Sequence, residues 1–554
     1  VPTFTPAVDA VGGSVALSAL VGLIPLVTFF ILLAVVRLKA HTAGLCALVV
    51  ALIIAVIAFH MPVGYALMSA IEGGAFGIHP VLWIVVMAIW LYQVTVVSGR
   101  FQDLRSIFNV VGHGDLRVQA MLIAFCFGGL LEALAGFGAP VAITATMVMA
   151  LGVKPLRAAA VVLVANTAPV AYGAVATPIT TAGKLTEIDP ALIGALVGRQ
   201  APILACVVPL ILLFLVDGRR AVKDLWPLAL VVGFGFAIAQ FLASNFFSYE
   251  LTDIVASLVG LLAAMAFMAV WKPRGAEEAR VRLDAPEPPP AERLGGQRIF
   301  LALLPYLLVI VVFTIAKVIK PVAAALASTD IKVAWPVLSQ VLVDSAGKPV
   351  SSTSYSIQWL SSPGSLLAIS AIIVAAVYAL NSSGGRFPVT FGAGLAEFPK
   401  TVYRMRWAGL TVILVLSLAY VMNQSGQTVS IGVWLAGTGV LYPFLSPILG
   451  WIGTAVTGSD TSANALFAKL QQTAAGNVHV DPALMVAANT SGGVVGKLIS
   501  PQNLAIAATA AEMPGQESQI LRTVVGWSVG LLLILCLLVF LQTTPVLGWM
   551  TVHL

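Results

Sequence analysis

The chain has 554 residues, of which 59% are hydrophobic and only 9% charged, with a mean hydropathy of +1.00. A soluble domain carries roughly 25% charged residues, so a water-soluble globule is excluded and a multi-pass membrane protein is expected. The net charge of +6 is no nucleic-acid signal, because Lys and Arg lie mostly in connecting loops, the pattern of positive-inside topology.

In chain order, segments 14–36, 43–59, 82–97, 192–216, 227–242, 254–271, 299–315, 366–380 and 525–541 are each near the length that crosses a bilayer. With the broken stretches between them, about twelve to fourteen spanning or re-entrant elements are expected, in an all-α integral membrane fold. The first segment is too long and wrongly flanked for a cleaved signal peptide. The chain opens on Val1, so an initiator end is expected to be missing or trimmed. Arg37 and Lys39, then Arg219, Arg220 and Lys223, then Arg386, Lys400, Arg404 and Arg406 assign their loops to the cytoplasm. The stretch 328–361 is polar but poor in basic residues and fits the outer face.

This gives N-terminal helices in 1–78, a first core in 79–190, spanning helices in 191–271 and a linker in 272–298. A helix with an outer loop (299–361), a second core (362–510) and a terminal helix (511–554) follow. The linker is Pro-rich and charged, and is expected to be cytoplasmic and flexible.

The two cores repeat one another. Ala165-Asn166-Thr167, five residues, Gly173, three residues, Thr177-Pro178 recurs without gaps as Ala488-Asn489-Thr490, five residues, Gly496, three residues, Ser500-Pro501. Upstream, Tyr92 followed at the same spacing by Gly99-Arg100-Phe101 is matched by Tyr378 and Gly385-Arg386-Phe387. Paired landmarks in one order indicate an internal repeat. Hydropathy leaves its parity open, although the more basic second loop favours inversion.

Small polar residues, Gly and Pro inside apolar sequence mark helices that open their backbone to a ligand. In corresponding positions of two halves they mark a secondary carrier's midplane site. Ahead of each Asn-Thr pair stands an acid at a glycine-rich or polar break: Glu132 before Gly136 and Gly138, and Asp460 among Ser459, Thr461 and Ser462. Acids at membrane depth mark ion, proton or substrate pathways, and interrupted helices there line cavities or are buried in protein. Helix N-termini would meet a small organic anion. Asn166, Thr167, Asn489, Thr490 and Ser491 would supply donors and acceptors, with Ser500 and Gln502 in the same motif. Lys497, the one lysine within either Asn-Thr motif, is the candidate counter-charge. Glu132 and Asp460 are the candidate proton carriers.

Blander readings stand beside these. Glu132 would pair with Lys154 or Arg157, Asp460 would cap a half-helix, and the asparagines would glue helices together. Lys497 would snorkel, and Glu72 would be structural. The six histidines lie at segment edges or in loops, against a haem or metal enzyme, so no cofactor and no enzyme activity is expected. Cys46, Cys126, Cys206 and Cys536 read as small buried hydrophobes. An ion channel is the weaker alternative, since the paired pattern favours alternating access.

Five stretches carry a resemblance: LEALAGFGAPVAIT, NTAPVAYGA, VGRQ, TGSDTSANALFA and NTSGGVVGKLISPQ. At these the sequence resembles the L-lactate permease family, with similar spacing along nearly the whole chain. The resemblance implies proton-coupled uptake of L-lactate, D-lactate and glycolate across the bacterial inner membrane, by inverted repeats with re-entrant hairpins. Residue chemistry alone suits a sodium-coupled carboxylate carrier as well, so the resemblance is what favours protons. The preferred 2-hydroxy acid and the number of subunits are not legible.

Overall fold

The computed structural model describes residues 3–36, 38–103, 106–107, 112, 114–135, 138–286, 294–343, 353–513 and 516–552. Among these, nine helices are long and apolar enough to span a bilayer, and two further helix pairs are bent by 61° and 106°. The chain is a multi-pass α-helical membrane protein.

A peripheral layer comes first: α1 (Val15–Phe30), α2 (Ala40–Ile57) and α3 (Val63–Phe76). It turns Leu17, Ile24, Val49 and Ile53 outward, as a lipid-facing surface requires. A kink joins α3 to α4 (Trp83–Val97). The first core unit follows. Its hairpin begins at Leu116–Leu122, continues through a π-helical turn into α5 (Gly128–Ala135), and returns as α6 (Ala139–Ala150). α7 (Pro155–Ala165) and α8 (Gly173–Thr186) form the first broken helix. Then come α9 (Val208–Phe246), kinked at Asp217-Gly218, and α10 (Thr252–Val270).

The linker holds α11 (Ala276–Leu283), and α12 (Gly296–Val318) re-enters the membrane. The segment between α12 and the next span contributes a two-stranded antiparallel hairpin, Ile331–Ala334 with Ser354–Ile357. α13 (Pro363–Leu380), α14 (Phe391–Ser425) and α15 (Gln427–Ala436) lead to the second hairpin, α16 (Tyr442–Thr457) and α17 (Asp460–Asn477). The second broken helix is α18 (Pro482–Gly496) with α19 (Pro501–Ala510), and α20 (Glu517–Gln542) closes the fold.

The helix starts are written locally. Asp481 and Ser500 each cap a helix whose next residue is proline, and a proline in the first turn loses no helical hydrogen bond. Both hairpin tips turn on a left-handed glycine, Gly138 (φ 86) and Gly458 (φ 74), a conformation other residues resist.

Contacts fix the parity of the core units. Arg117, at the start of the first hairpin, donates to the Arg274 carbonyl in the linker at 2.6 Å, and Gly152, at its return, packs on Ala285 and Pro286. The first hairpin therefore enters from the linker face. The far end of the second hairpin lies opposite: Gln472 donates to the Thr186 carbonyl at 2.8 Å, and nearby Lys184 donates to Gln358, past the far end of α12 from the linker. The two units are inverted.

The upstream landmark obeys a different relation. Gly99 packs on Phe387, and the Arg100 guanidinium lies 4.8 Å from the centre of that ring. Trp83 and Ser365 bond at the beginnings of α4 and α13, so these helices run parallel and their Gly-Arg-Phe loops share one face.

The described parts of the linker carry ion pairs. Glu277 pairs with Arg280 within α11, Arg282 pairs with Asp217, and Arg298 pairs with Asp103. These bonds tether a segment whose composition alone suggested a free coil.

Candidate functional site

Inversion brings the two tips and the two breaks to one place. A partly open cleft of about 350 Å³, open solvent included, is lined by Glu132, Val170, Gly173, Ala174, Pro178, Gly458, Ser459, Asp460, Thr461 and Lys497. Both hairpins and both broken helices contribute. Only about 30 Å³ of it admits the centre of a water molecule, room for roughly two waters.

The centre is an ion pair between units. Lys497 Nζ, at the second break, donates to Glu132 Oε1 at 2.7 Å, and both side chains are almost fully buried. Asn166 Nδ2, at the first break, donates to Glu132 Oε2 at 2.9 Å. Glu132 therefore does not pair with Lys154 or Arg157; Arg157 donates instead to the Val216 carbonyl. Gly173 makes room for the carboxylate, since a Cβ there would lie 2.9 Å from Glu132 Oε1.

Asp460 opens α17 beside the same lysine, with which it interacts electrostatically. Ser459, not Asp460, is the N-cap, its hydroxyl accepting from the Ser462 N–H at 3.3 Å. Asp460 Oδ1 receives long bonds from Thr454 (3.4 Å) and Asn464 (3.5 Å), and Oδ2 has no partner among the described residues. Asn464 is a hub missed at the sequence level. It donates to the Asp460 carbonyl at 3.1 Å and accepts from Asn489 (3.1 Å) and Thr490 (2.9 Å).

Several expected residues stand elsewhere. Asn489 and Thr490 lie inside unbroken α18, one layer behind the cavity; the break comes at Lys497–Ile499. The first copy breaks at Asn166 because Pro169 follows, whereas the second has Gly492 at that position. Thr167 turns back to the Val164 carbonyl, and Ser491 donates to Gln200 at 2.7 Å, away from the cavity. Ser500 caps α19. Gln502 packs against Gly458 at the second tip, and Gly138 packs against Ile506 and Asn503 of α19. Gly136 lies outside the described residues. No cluster of metal-ligating side chains is found among the described residues.

Inverted hairpins meeting broken helices around a buried charge pair define a secondary membrane carrier. The L-lactate permease family model matches residues 18–546. The glycolate permease of Escherichia coli is 43% identical, covering 93% of this chain and 94% of its own length. The L-lactate permease of Bacillus subtilis is 40% identical and covers 99% of each. That of Escherichia coli is 38% identical, covering 97% and 98%. The chain belongs to the L-lactate permease family. It is a permease rather than an enzyme, a multi-pass protein of the bacterial inner membrane.

Proposed function

We propose that this protein takes up lactate, glycolate and related short 2-hydroxymonocarboxylates together with protons. The observation that carries the reading is the buried Lys497–Glu132 pair at the crossing of the two units. One lysine cannot satisfy two carboxylates in a low-dielectric site, because an unpaired buried charge is costly. Protonation of Glu132 releases Lys497, and the substrate carboxylate takes its place. Proton and anion then enter together, and the site keeps its charge. Ser459 and Thr461, which line the same cavity, offer hydroxyl partners to the substrate's own hydroxyl.

Sodium coupling is the second reading, favoured by the Asp460 oxygen that has no partner among the described residues and lies beside Ser459 and Thr461. The test is uptake of labelled lactate into proteoliposomes with pH and sodium gradients imposed separately. Accumulation driven by the pH gradient alone supports proton coupling. Accumulation that requires sodium at every pH refutes it.

A further inference from the structure

We propose that Asp253 is a second proton-carrying carboxylate of the carrier, placed to pass a proton arriving from the outer half of the protein to Glu132 across the first helix break. This rests on the proton-coupled reading above.

Asp253 lies in the first turn of α10 and is 1% exposed. An acid at that position complements the helix dipole, and a dipole role alone would leave it at the surface. Here it is buried, and its two oxygens differ. Oδ1 accepts from Gln240 Nε2 at 3.3 Å, whereas Oδ2 accepts no hydrogen bond among the described residues and is the oxygen free to carry a proton. Buried acids at membrane depth are expensive and are retained for ion or proton traffic.

Its neighbours lead to the transport site. The same Gln240 Nε2 donates to the Ala168 carbonyl at 3.0 Å, two residues beyond Asn166, whose amide holds Glu132. The break 166–168 is thus clamped between the two acids. α5 and α10 pack directly, since a Cβ on Gly129 would lie 2.3 Å from Ser257 Oγ. Among the described residues, Glu132 on α5 and the Tyr172 phenol after the break both interact electrostatically with Asp253. α9 presents the Gln240 amide to it, and the Thr180 and Ser244 hydroxyls are bonded to Tyr249 and to the Phe241 carbonyl. None of these supplies a cation.

The approach is from outside. Just ahead of Asp253, the Tyr249 hydroxyl meets Thr180 on α8 at 3.3 Å, and Lys184 in the last turn of α8 is bonded to Gln358 between α12 and α13. In the transfer, the Asp253 acid loses its proton and the Glu132 carboxylate gains it. Water entering the opened break carries it, because the Gln240 amide and the Ala168 carbonyl hold the ends but do not relay protons themselves.

The test uses the full-length protein in liposomes containing a trapped pH dye. Lactate-dependent proton influx, pH-driven uptake and lactate counterflow are measured for wild type, Asp253→Asn, Asp253→Glu and Gln240→Leu. Asp253→Asn is expected to lose influx and driven uptake by at least roughly tenfold, with counterflow held within about twofold. Asp253→Glu restores both. Gln240→Leu, which leaves both acids in place, slows driven uptake more than counterflow and stands in if Asp253→Asn fails to assemble. Normal proton influx in Asp253→Asn overturns the proposal. So does equal loss of counterflow and driven uptake in a folded variant, which assigns the residue a structural role. If wild type itself moves no protons with lactate, proton coupling fails first and the Asp253 proposal falls with it.

Discussion

Replacing Lys497 by Met keeps the length of the side chain and removes its charge, leaving Glu132 buried with the Asn166 amide as its remaining partner among the described residues. Breaking a buried ion pair from one side costs about 3–5 kcal/mol, whereas replacing both partners by neutral groups is often close to neutral. The energetic signature is therefore a double-mutant cycle. Lys497→Met is expected to destabilise by that amount, and Lys497→Met combined with Glu132→Gln to recover most of it, to within about 1 kcal/mol of wild type. If all 554 residues unfolded, the unfolding entropy would be roughly 1.2 kcal/mol per kelvin, so the single change lowers Tm by about 3–4 °C. The shift is larger if only the core unfolds. Thermal unfolding in detergent, followed by near-ultraviolet signals of the buried aromatics, reads it. Transport should be lost in both variants, which separates stability from function. If Lys497→Met melts with wild type, or the double variant is no more stable than the single one, the pair is not energetically coupled and the charge-exchange argument fails.

The remaining expectations are shorter. Glu132→Gln, which mimics the protonated acid, should abolish pH-driven accumulation while lactate counterflow persists; concentrative uptake at the wild-type level would move the coupling role to Asp460. Glycolate and both lactate enantiomers should compete for uptake and succinate and citrate should not, because a second carboxylate finds no second lysine; succinate inhibiting as well as lactate would contradict the single-cation site. Asn464→Ala removes four hydrogen bonds behind the second tip, the one to Asp460 Oδ1 a long one, at about 0.5–1.5 kcal/mol for each of normal length. It should lower Tm and raise the KM for lactate together, and an unchanged KM would separate the hub from the site.

Much of this core is readable from local chemistry. The glycines after Glu132, the Thr457-to-Asn464 stretch and the Ser500-Pro501 pair each state where a helix must stop and restart, and the chain stops and restarts there. Lys497 stands out because a lysine inside a small-residue motif has few structural uses. Its choice of partner is different in kind. Glu132 and Lys497 are 365 positions apart, and their meeting depends on the two units entering from opposite faces, which no local pattern encodes. The second Asn-Thr pair shows how a repeat misleads. Equal spacing suggested equal breaks, yet a proline at 169 interrupts one helix while glycines at 492 and 496 let the other run on. Those glycines also let α18 press against α16, where Cβ atoms would lie only 2.0 and 2.2 Å from the Pro447 and Trp451 carbonyl oxygens. The repeat therefore conserves position more than conformation. The half that opens at its asparagine presents that residue to Glu132, and the half that stays helical uses its asparagine to brace Asn464. An asymmetric site built on symmetric units follows: each unit brings an acid, Glu132 and Asp460, and the second also brings Lys497, which bonds the acid of the first. That division lets a proton on Glu132 control what Lys497 can bind.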